Sequence, residues 1–213
     1  LLAARVDAAS AKGGDLFIGG YTVGGGSLSR AVKRHLASGG RVFMTPKAAF
    51  IMRNNLEDVD SLGVEIRDEP PPGFDGTVIE ADELNLAPLG SLLASVGEGL
   101  DALDAVAVAV QDHGSYRPGE SNRKTRLSHM QGRLEADPDP LALYYVAGEV
   151  RPQLPRMAAA AERLAEQLPG TPVVVMYTAP AAAAGCRADA LVAERAEGDL
   201  LVINAGNGHT LAY

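Results

Sequence analysis

The chain has 213 residues and a formal net charge of −8 at pH 7, which argues against general affinity for nucleic acid or an anionic membrane, since both need a cationic face. Hydrophobic residues make up 46% and charged residues 22%, a globular composition that is neither disordered nor fibrous and is long enough to bury a core. The single cysteine, Cys186, excludes an internal disulfide framework and fits a reducing cytoplasm; it also excludes a cysteine-ligated iron–sulfur cluster within these residues, because such clusters usually take four thiolates.

No run approaches the ~20 apolar residues that a membrane helix requires. The opening "LLAARVDAASAKGG" has no basic region followed by a long apolar core, so it does not read as a secretory signal. With no initiator Met and an end at "HTLAY", the chain is expected to be a fragment of a longer protein.

Short apolar runs then alternate with longer amphipathic ones. "DLFIGG" (15–20) reads as a buried strand ending in glycines. "SLSRAVKRHLASGG" (27–40) reads as a helix with Ser27 as cap, a stripe of Leu28, Ala31, Val32 and Leu36, and Gly39 as its close; His35 is expected at its surface. "RVFMT" (41–45) is a strand, Pro46 suits the first turn of a helix, residues 55–62 form a short helix, and "VEIR" (64–67) is a strand. The prolines at 70–72 and Gly73 mark a loop before an edge strand, "TVIEA" (77–81).

A helix over 86–99 leads into a strand at 104–110, which lacks polar alternation and is expected to be buried on both faces. Residues 111–140 read mostly as loop, long enough to suggest function. Helices near 140–147 and 156–168, the strand "PVVVMYT" (172–178), an Ala-rich helix (180–196) with Cys186 buried in it, and the strand "DLLVIN" (199–204) complete the order. Alternating strands and helices predict an α/β fold, with a mixed, largely parallel sheet and helices on both faces. A lobe boundary is placed near 168–172.

In such folds ligands gather at the carboxyl ends of strands. Three segments fall there. In "IGGYTVGGGSLSR" (18–30), Gly24, Gly25 and Gly26 can offer backbone N–H groups to phosphate or carboxylate, or simply permit a tight turn; the segment is neither a P-loop nor G-x-G-x-x-G. In "VAVAVQDHGSYRPGESNRKTR" (106–126), Asp112 and His113 stand at a strand end, and Arg117, Arg123, Lys124 and Arg126 follow. His113 can act as a base or a metal ligand, and the arginines can grip an anion or pair with Glu120. In "INAGNGHTLAY" (203–213), Asn204, Gly206, Gly208, His209 and Thr210 can form a second anion-binding turn, while Asn207–Gly208 also signals a hairpin.

"VGGGSLSRAVKRHLASGGRVFMTPKAA", "VAVAVQDHG", "LPRM" (154–157) and "INAGNGHTLA" together resemble a family of uncharacterised prokaryotic proteins labelled "putative pyruvate formate-lyase activating enzyme". The resemblance implies a larger fold related to the actin, sugar-kinase and heat-shock-chaperone ATPases, whose two ribonuclease-H-like lobes clamp ATP with magnesium. It also implies an N-terminal D-x-G-x-G-T and a later E-H-H-T-G segment; neither occurs here, in keeping with a fragment. By that analogy "NAGNGHT" is the second phosphate turn. Asn204 then stands where the ATPases carry Asp, Tyr177 at another expected Asp and Ala179 at a Gly.

The leading expectation is a protein that binds a small anionic ligand, a nucleotide or another phosphate, with phosphoryl transfer or hydrolysis as its chemistry. Gly24–Gly26 and Gly206–Gly208 would cradle phosphate. Asp112 or His113 would position a nucleophile or metal-bound water, and Arg123 and Arg126 would balance charge. One alternative is a regulatory module that binds without hydrolysis. The other is metal-dependent chemistry at His113 and His209. The radical chemistry of the family label is not expected, for want of cysteines.

Overall fold

The computed structural model describes residues 2–212 apart from Val23, Arg117, Ala196, Glu197 and positions 207–209, and the backbone alone of Asn122. The chain opens with α1 (Leu2–Lys12), β1 (Leu16–Tyr21), α2 (Gly26–Ala37), β2 (Val42–Met44), α3 (Pro46–Ala49), α4 (Leu56–Asp60), β3 (Val64–Ile66) and β4 (Thr77–Asp82). The four strands form one sheet in the order β3–β2–β1–β4, parallel throughout.

Period-two alternation puts Leu16, Ile18, Val42, Met44, Val64 and Ile79 in one core. Val6 and Ala9 of α1 and Leu28, Ala31 and Val32 of α2 pack into that same core, and each buried Val, Leu, Ile or Met side chain contributes roughly 1.5–3 kcal/mol. On the other residues of these strands Phe17 and Phe43 are also buried. There a loop residue rather than a helix meets Phe43: Phe74 stands edge-on to it, with ring centroids 5.8 Å apart. The chain runs outward from β1 to β3 and then returns to β4 on the far side of β1, so the strand order reverses between β1 and β4. In a parallel sheet, the crevice at such a reversal is where a ligand has room.

The second half holds α5 (Ala87–Ala94), β5 (Val106–Ala109), α6 (Asn122–Leu134), β6 (Tyr144–Val146), α7 (Pro155–Gln167), β7 (Val173–Met176), α8 (Thr178–Arg187), α9 (Ala190–Ala193), β8 (Ile203–Ala205) and β9 (Thr210–Ala212). A mixed sheet runs β5–β7–β6, with β5 parallel and β6 antiparallel to β7. A second core joins Val173 and Val175 to Met157, Ala160, Ala161 and Leu164 of α7. β8 and β9 form a separate antiparallel pair. The chain is therefore α/β, as the sequence predicts, with the parallel and the mixed pairings in different sheets.

Several local expectations are corrected. Residues 111–140 are not loop throughout: Ser121 accepts the Lys124 amide at 3.2 Å and starts the thirteen-residue α6 within them. The helix expected near 140–147 is a 3₁₀ turn (Pro140–Leu143) followed by β6, as suits the β-forming "YYV". The strand at 104–110 is an edge strand with Ala107 and Ala109 exposed, so it is not buried on both faces. The Ala-rich helix stops at Arg187, Asp189 caps the short α9, and Cys186 is exposed. At the head of α2 the cap position is Gly25 rather than Ser27. His35 is 2% exposed, because it lies one helical turn beyond Ala31 and Val32 on the stripe facing α1.

α7 links the two halves. Arg163 grips Asp82 at the end of β4 with bonds of 2.6 and 3.0 Å, Lys47 meets Glu162 at 2.8 Å, and the Tyr21 hydroxyl donates to Glu162 and Glu166. Gln167 takes the Leu86 amide at 2.9 Å and donates to the Leu84 carbonyl at 2.8 Å. Among the described residues no helix is long and apolar enough to cross a membrane.

Candidate functional site

Beyond β5 the backbone runs on beside β7, with the Val110 amide on the Met176 carbonyl, and then turns at Gly114 with φ +74°. The turn carries Asp112 into the interior, where it is 1% exposed. One carboxylate oxygen accepts the Gly114 amide at 2.8 Å, and the other accepts the amides of Arg156 and Met157 at 2.8 and 2.9 Å. Those two amides open α7, whose own cap position, Leu154, has no side-chain acceptor. Asp112 is thus a remote cap that satisfies orphan donors and sets a negative charge at the positive end of the helix. Its acceptor capacity faces backbone amides. His113, next to it, is half-buried.

Arg156 ties this strand end to the first sheet. Its guanidinium donates to the Gln111 carbonyl at 3.3 Å and the Phe50 carbonyl at 3.4 Å. The same group lies 3.8 Å from the point where a Cβ on Gly25 would stand. Burial pushes its pKa down, while the charges of Asp112 and Glu83 push it back up. The glycine turn itself already holds a carboxylate, since the Gly24 amide donates to Glu83 at 2.9 Å. Its preference for an anion is met within the chain.

A separate cavity of about 240 Å³ opens beside α6, the head of α8 and the β8–β9 pair. Arg126, Leu127 and Met130 face it from α6, Gln111 from the β5 end, and Asn204, Gly206 and Leu211 from the strand pair. Tyr177, Thr178, Ala179 and Pro180 close it at the start of α8. The cap residue of that helix, Tyr177, makes no side-chain cap bond, and among the described residues no side-chain acceptor is seen on the helix's first amides. Tyr177 is 3% exposed, and its hydroxyl has no hydrogen-bond partner among the described residues. Burial chiefly, then the charges of Tyr145 and Asp112, raise the phenol's pKa above its usual value, and Arg126 opposes the rise.

Of the residues singled out in the sequence, Arg126, Asn204 and Gly206 meet at this cavity. Gly24, Gly25 and Gly26 lie between β1 and the head of α2 and do not line it. Arg123 is exposed on α6, nearly one turn earlier, and Thr210 is exposed at the start of β9. Gly208 and His209 lie outside the described residues, and with them the metal pairing of His113 and His209. Among the described residues no three His, Cys, Asp or Glu side chains converge to hold a metal ion.

Two residues at these places were not among the candidate site residues, although the family resemblance had set Tyr177 at an expected Asp position. Arg156 sits in the "LPRM" motif, where Pro at a helix start already marked a cation beside exposed amides. Tyr177 ends an apolar run just before "TAP", a helix opening whose proline fixes the first turn.

A family model described as "Putative pyruvate format-lyase activating enzyme (DUF1786)" matches residues 23–213. No curated protein and no solved structure matches the chain.

Proposed function

The chain belongs to that family by a match over residues 23–213, and from this premise we propose that it binds a small phosphate-bearing ligand in the cavity beside Arg126. One observation carries the reading: a guanidinium lines a cavity together with a helix start whose cap residue, Tyr177, makes no side-chain cap bond and keeps a buried hydroxyl with no partner among the described residues. Arginine and helix-end amides are the donors that phosphate oxygens use, and Asn204 adds an amide. Ligand pockets typically run to about 300–1,000 Å³, so about 240 Å³ suits a phosphate with a few attached atoms. ATP with magnesium belongs among the ligands to test, and kinship with the actin-like ATPases is part of this proposal. It rests on Gly206, just after β8, lining a cavity at the strand-to-helix mouth that opens α8.

Binding without hydrolysis is favoured over phosphoryl transfer. Asp112, one of the two residues expected to position a nucleophile, spends its carboxylate on three backbone amides. Cluster-based radical chemistry, which the family description suggests, has a single thiol to draw on in these 213 residues, and Cys186 stands exposed on α8.

The test is a nitrogen–proton correlation titration with inorganic phosphate and with Mg-ATP. Binding at this site shifts the Thr178 and Ala179 amides and weakens roughly 10- to 100-fold in Arg126→Gln, the loss expected for one charged hydrogen-bonding partner. Saturable shifts confined to the glycine turn would move the site to Gly24–Gly26, and steady phosphate release from Mg-ATP would restore the hydrolase reading.

A further inference from the structure

The cavity beside Arg126 does not end at its polar residues. A second opening of about 490 Å³ runs on from it along α6, and the two share Leu127, Met130 and Leu211. Its further walls are Leu134 and Ala212, with Gln131 and Glu135 at the rim bonded to each other at 2.7 Å. Leu127, Met130 and Leu134 fall at i, i+3 and i+7, so one helical stripe forms its floor. From Leu127 to Leu134 that stripe spans about 10 Å at the rise of an α-helix. Arg126 and the head of α8 stand at one end, and the far end is apolar. Leu127 remains 46% exposed in a floor whose neighbour Met130 is 7% exposed, so the stripe leaves apolar surface uncovered inside the groove.

We infer that the ligand is amphipathic: a phosphate monoester whose apolar body, about four to eight carbons long, lies along the α6 groove while its phosphate meets Arg126. The length follows from the ~10 Å stripe at helical rise. This rests on the phosphate reading of the cavity and narrows it. The groove commits to a hydrocarbon body because its shared walls are leucines and a methionine. A ribose or sugar body would bury hydroxyls against them without partners, which costs free energy. The charge arrangement agrees, with the cation and helix amides at one end and a carboxylate, Glu135, at the rim of the other, where an anionic head would be repelled.

The test titrates the full chain with inorganic phosphate, ethyl phosphate, hexyl phosphate and AMP, following backbone amide shifts. Hexyl phosphate is expected to bind on the order of tenfold tighter than ethyl phosphate, about twofold per methylene in a half-open groove. It should shift the Gln131 and Ala212 amides, which inorganic phosphate leaves in place. Ala212→Gln, a change at an exposed strand position, is expected to bring the hexyl-to-ethyl ratio close to one. If the phosphates bind at Thr178 and Ala179 with no dependence on chain length, or if AMP outcompetes hexyl phosphate, this inference is overturned and the phosphate site stands. If none of the phosphates binds there, the phosphate site fails and the amphipathic ligand with it. Hexyl phosphate binding unchanged in Arg126→Gln would also overturn the inference, because the head group would then lie elsewhere.

Discussion

Asp112 caps the helix that begins at Arg156: its carboxylate accepts the Arg156 amide at 2.8 Å although the two residues stand 44 positions apart. The same oxygen takes the Met157 amide, and the other takes Gly114. Replacing the side chain by alanine strands the buried amides of Gly114 and Met157 and the half-buried one of Arg156. Asp112→Ala is expected to cost about 3 kcal/mol and to lower the melting temperature by roughly 10 °C in a chain of this size. Asp112→Asn, which keeps one acceptor oxygen, should fall between. Thermal unfolding followed by circular dichroism decides the matter. A variant that melted like the parent would show that the carboxylate does not hold α7.

This bond also marks where the sequence stopped being legible. The strands at 15–20, 41–45, 64–67 and 77–81 could be read because each is a short run holding β-branched or aromatic residues that begins directly after a glycine. Asp112 at a strand end was equally visible, but its partners are backbone amides of a helix 44 positions on, and backbone groups leave no mark in a residue pattern. His35 was misplaced for a related reason. A titratable residue between Arg34 and Leu36 looks solvated until α1 is known to lie across α2. α6 was hidden by its charge, since only Thr125 and Met130 among its described side chains are deeply buried, and its apolar stripe is divided between the second core and the cavity. Arg126 and Asn204 could be nominated by type. Their meeting beside Tyr177 depends on the β8–β9 pair lying beside α6 and the head of α8, which no local spacing encodes.

His35 and Gly40 form a steric pair. The Nδ1 of His35 sits 2.8 Å from the Ser10 hydroxyl, while Nε2 has no hydrogen-bond partner among the described residues. A Cβ on Gly40 would fall 2.1 Å from that Nε2, inside any tolerable contact. Gly40→Ala should therefore destabilise the protein by about 1–3 kcal/mol, as overpacking of a filled core does. Adding His35→Ala should recover part of that loss. Denaturant unfolding of the two single variants and the double variant measures the coupling, and strictly additive costs would refute the steric account.

The Tyr21 contact with α7 sets a pH window. Burial and the bond to Glu166 raise the phenol's pKa, and the same bond, helped by Arg163, lowers that of Glu166. A raised phenol contributes stability that is fully present below the unfolded tyrosine value near 10 and is lost as pH rises further. A depressed glutamate contributes stability present above the unfolded value near 4.3 and lost as pH falls through the folded one. The junction should be firmest between those limits. Tyr21→Phe should flatten the alkaline limb and lower mid-range stability by about 1 kcal/mol, the net contribution of one hydrogen bond. Melting temperatures from pH 3 to 11 test this, and an alkaline limb unchanged in the variant would assign it to other groups.

Tyr177 separates ligand binding from stability. Its hydroxyl is buried with no partner among the described residues, an arrangement that costs the fold about 1–3 kcal/mol relative to a satisfied group. Removing the oxygen recovers part of that cost, because the ring still fills its place between the core and the cavity. Tyr177→Phe should thus be as stable as the parent or up to about 1 kcal/mol more stable when free of ligand. If the hydroxyl bonds the bound phosphate, the same variant should bind it about fivefold more weakly, one neutral hydrogen bond's worth. Paired measurements on one sample, unfolding without ligand and titration with phosphate, read the two effects separately. Lower stability in the free variant would mean that the hydroxyl has a structural partner, and unchanged affinity would remove Tyr177 from the site.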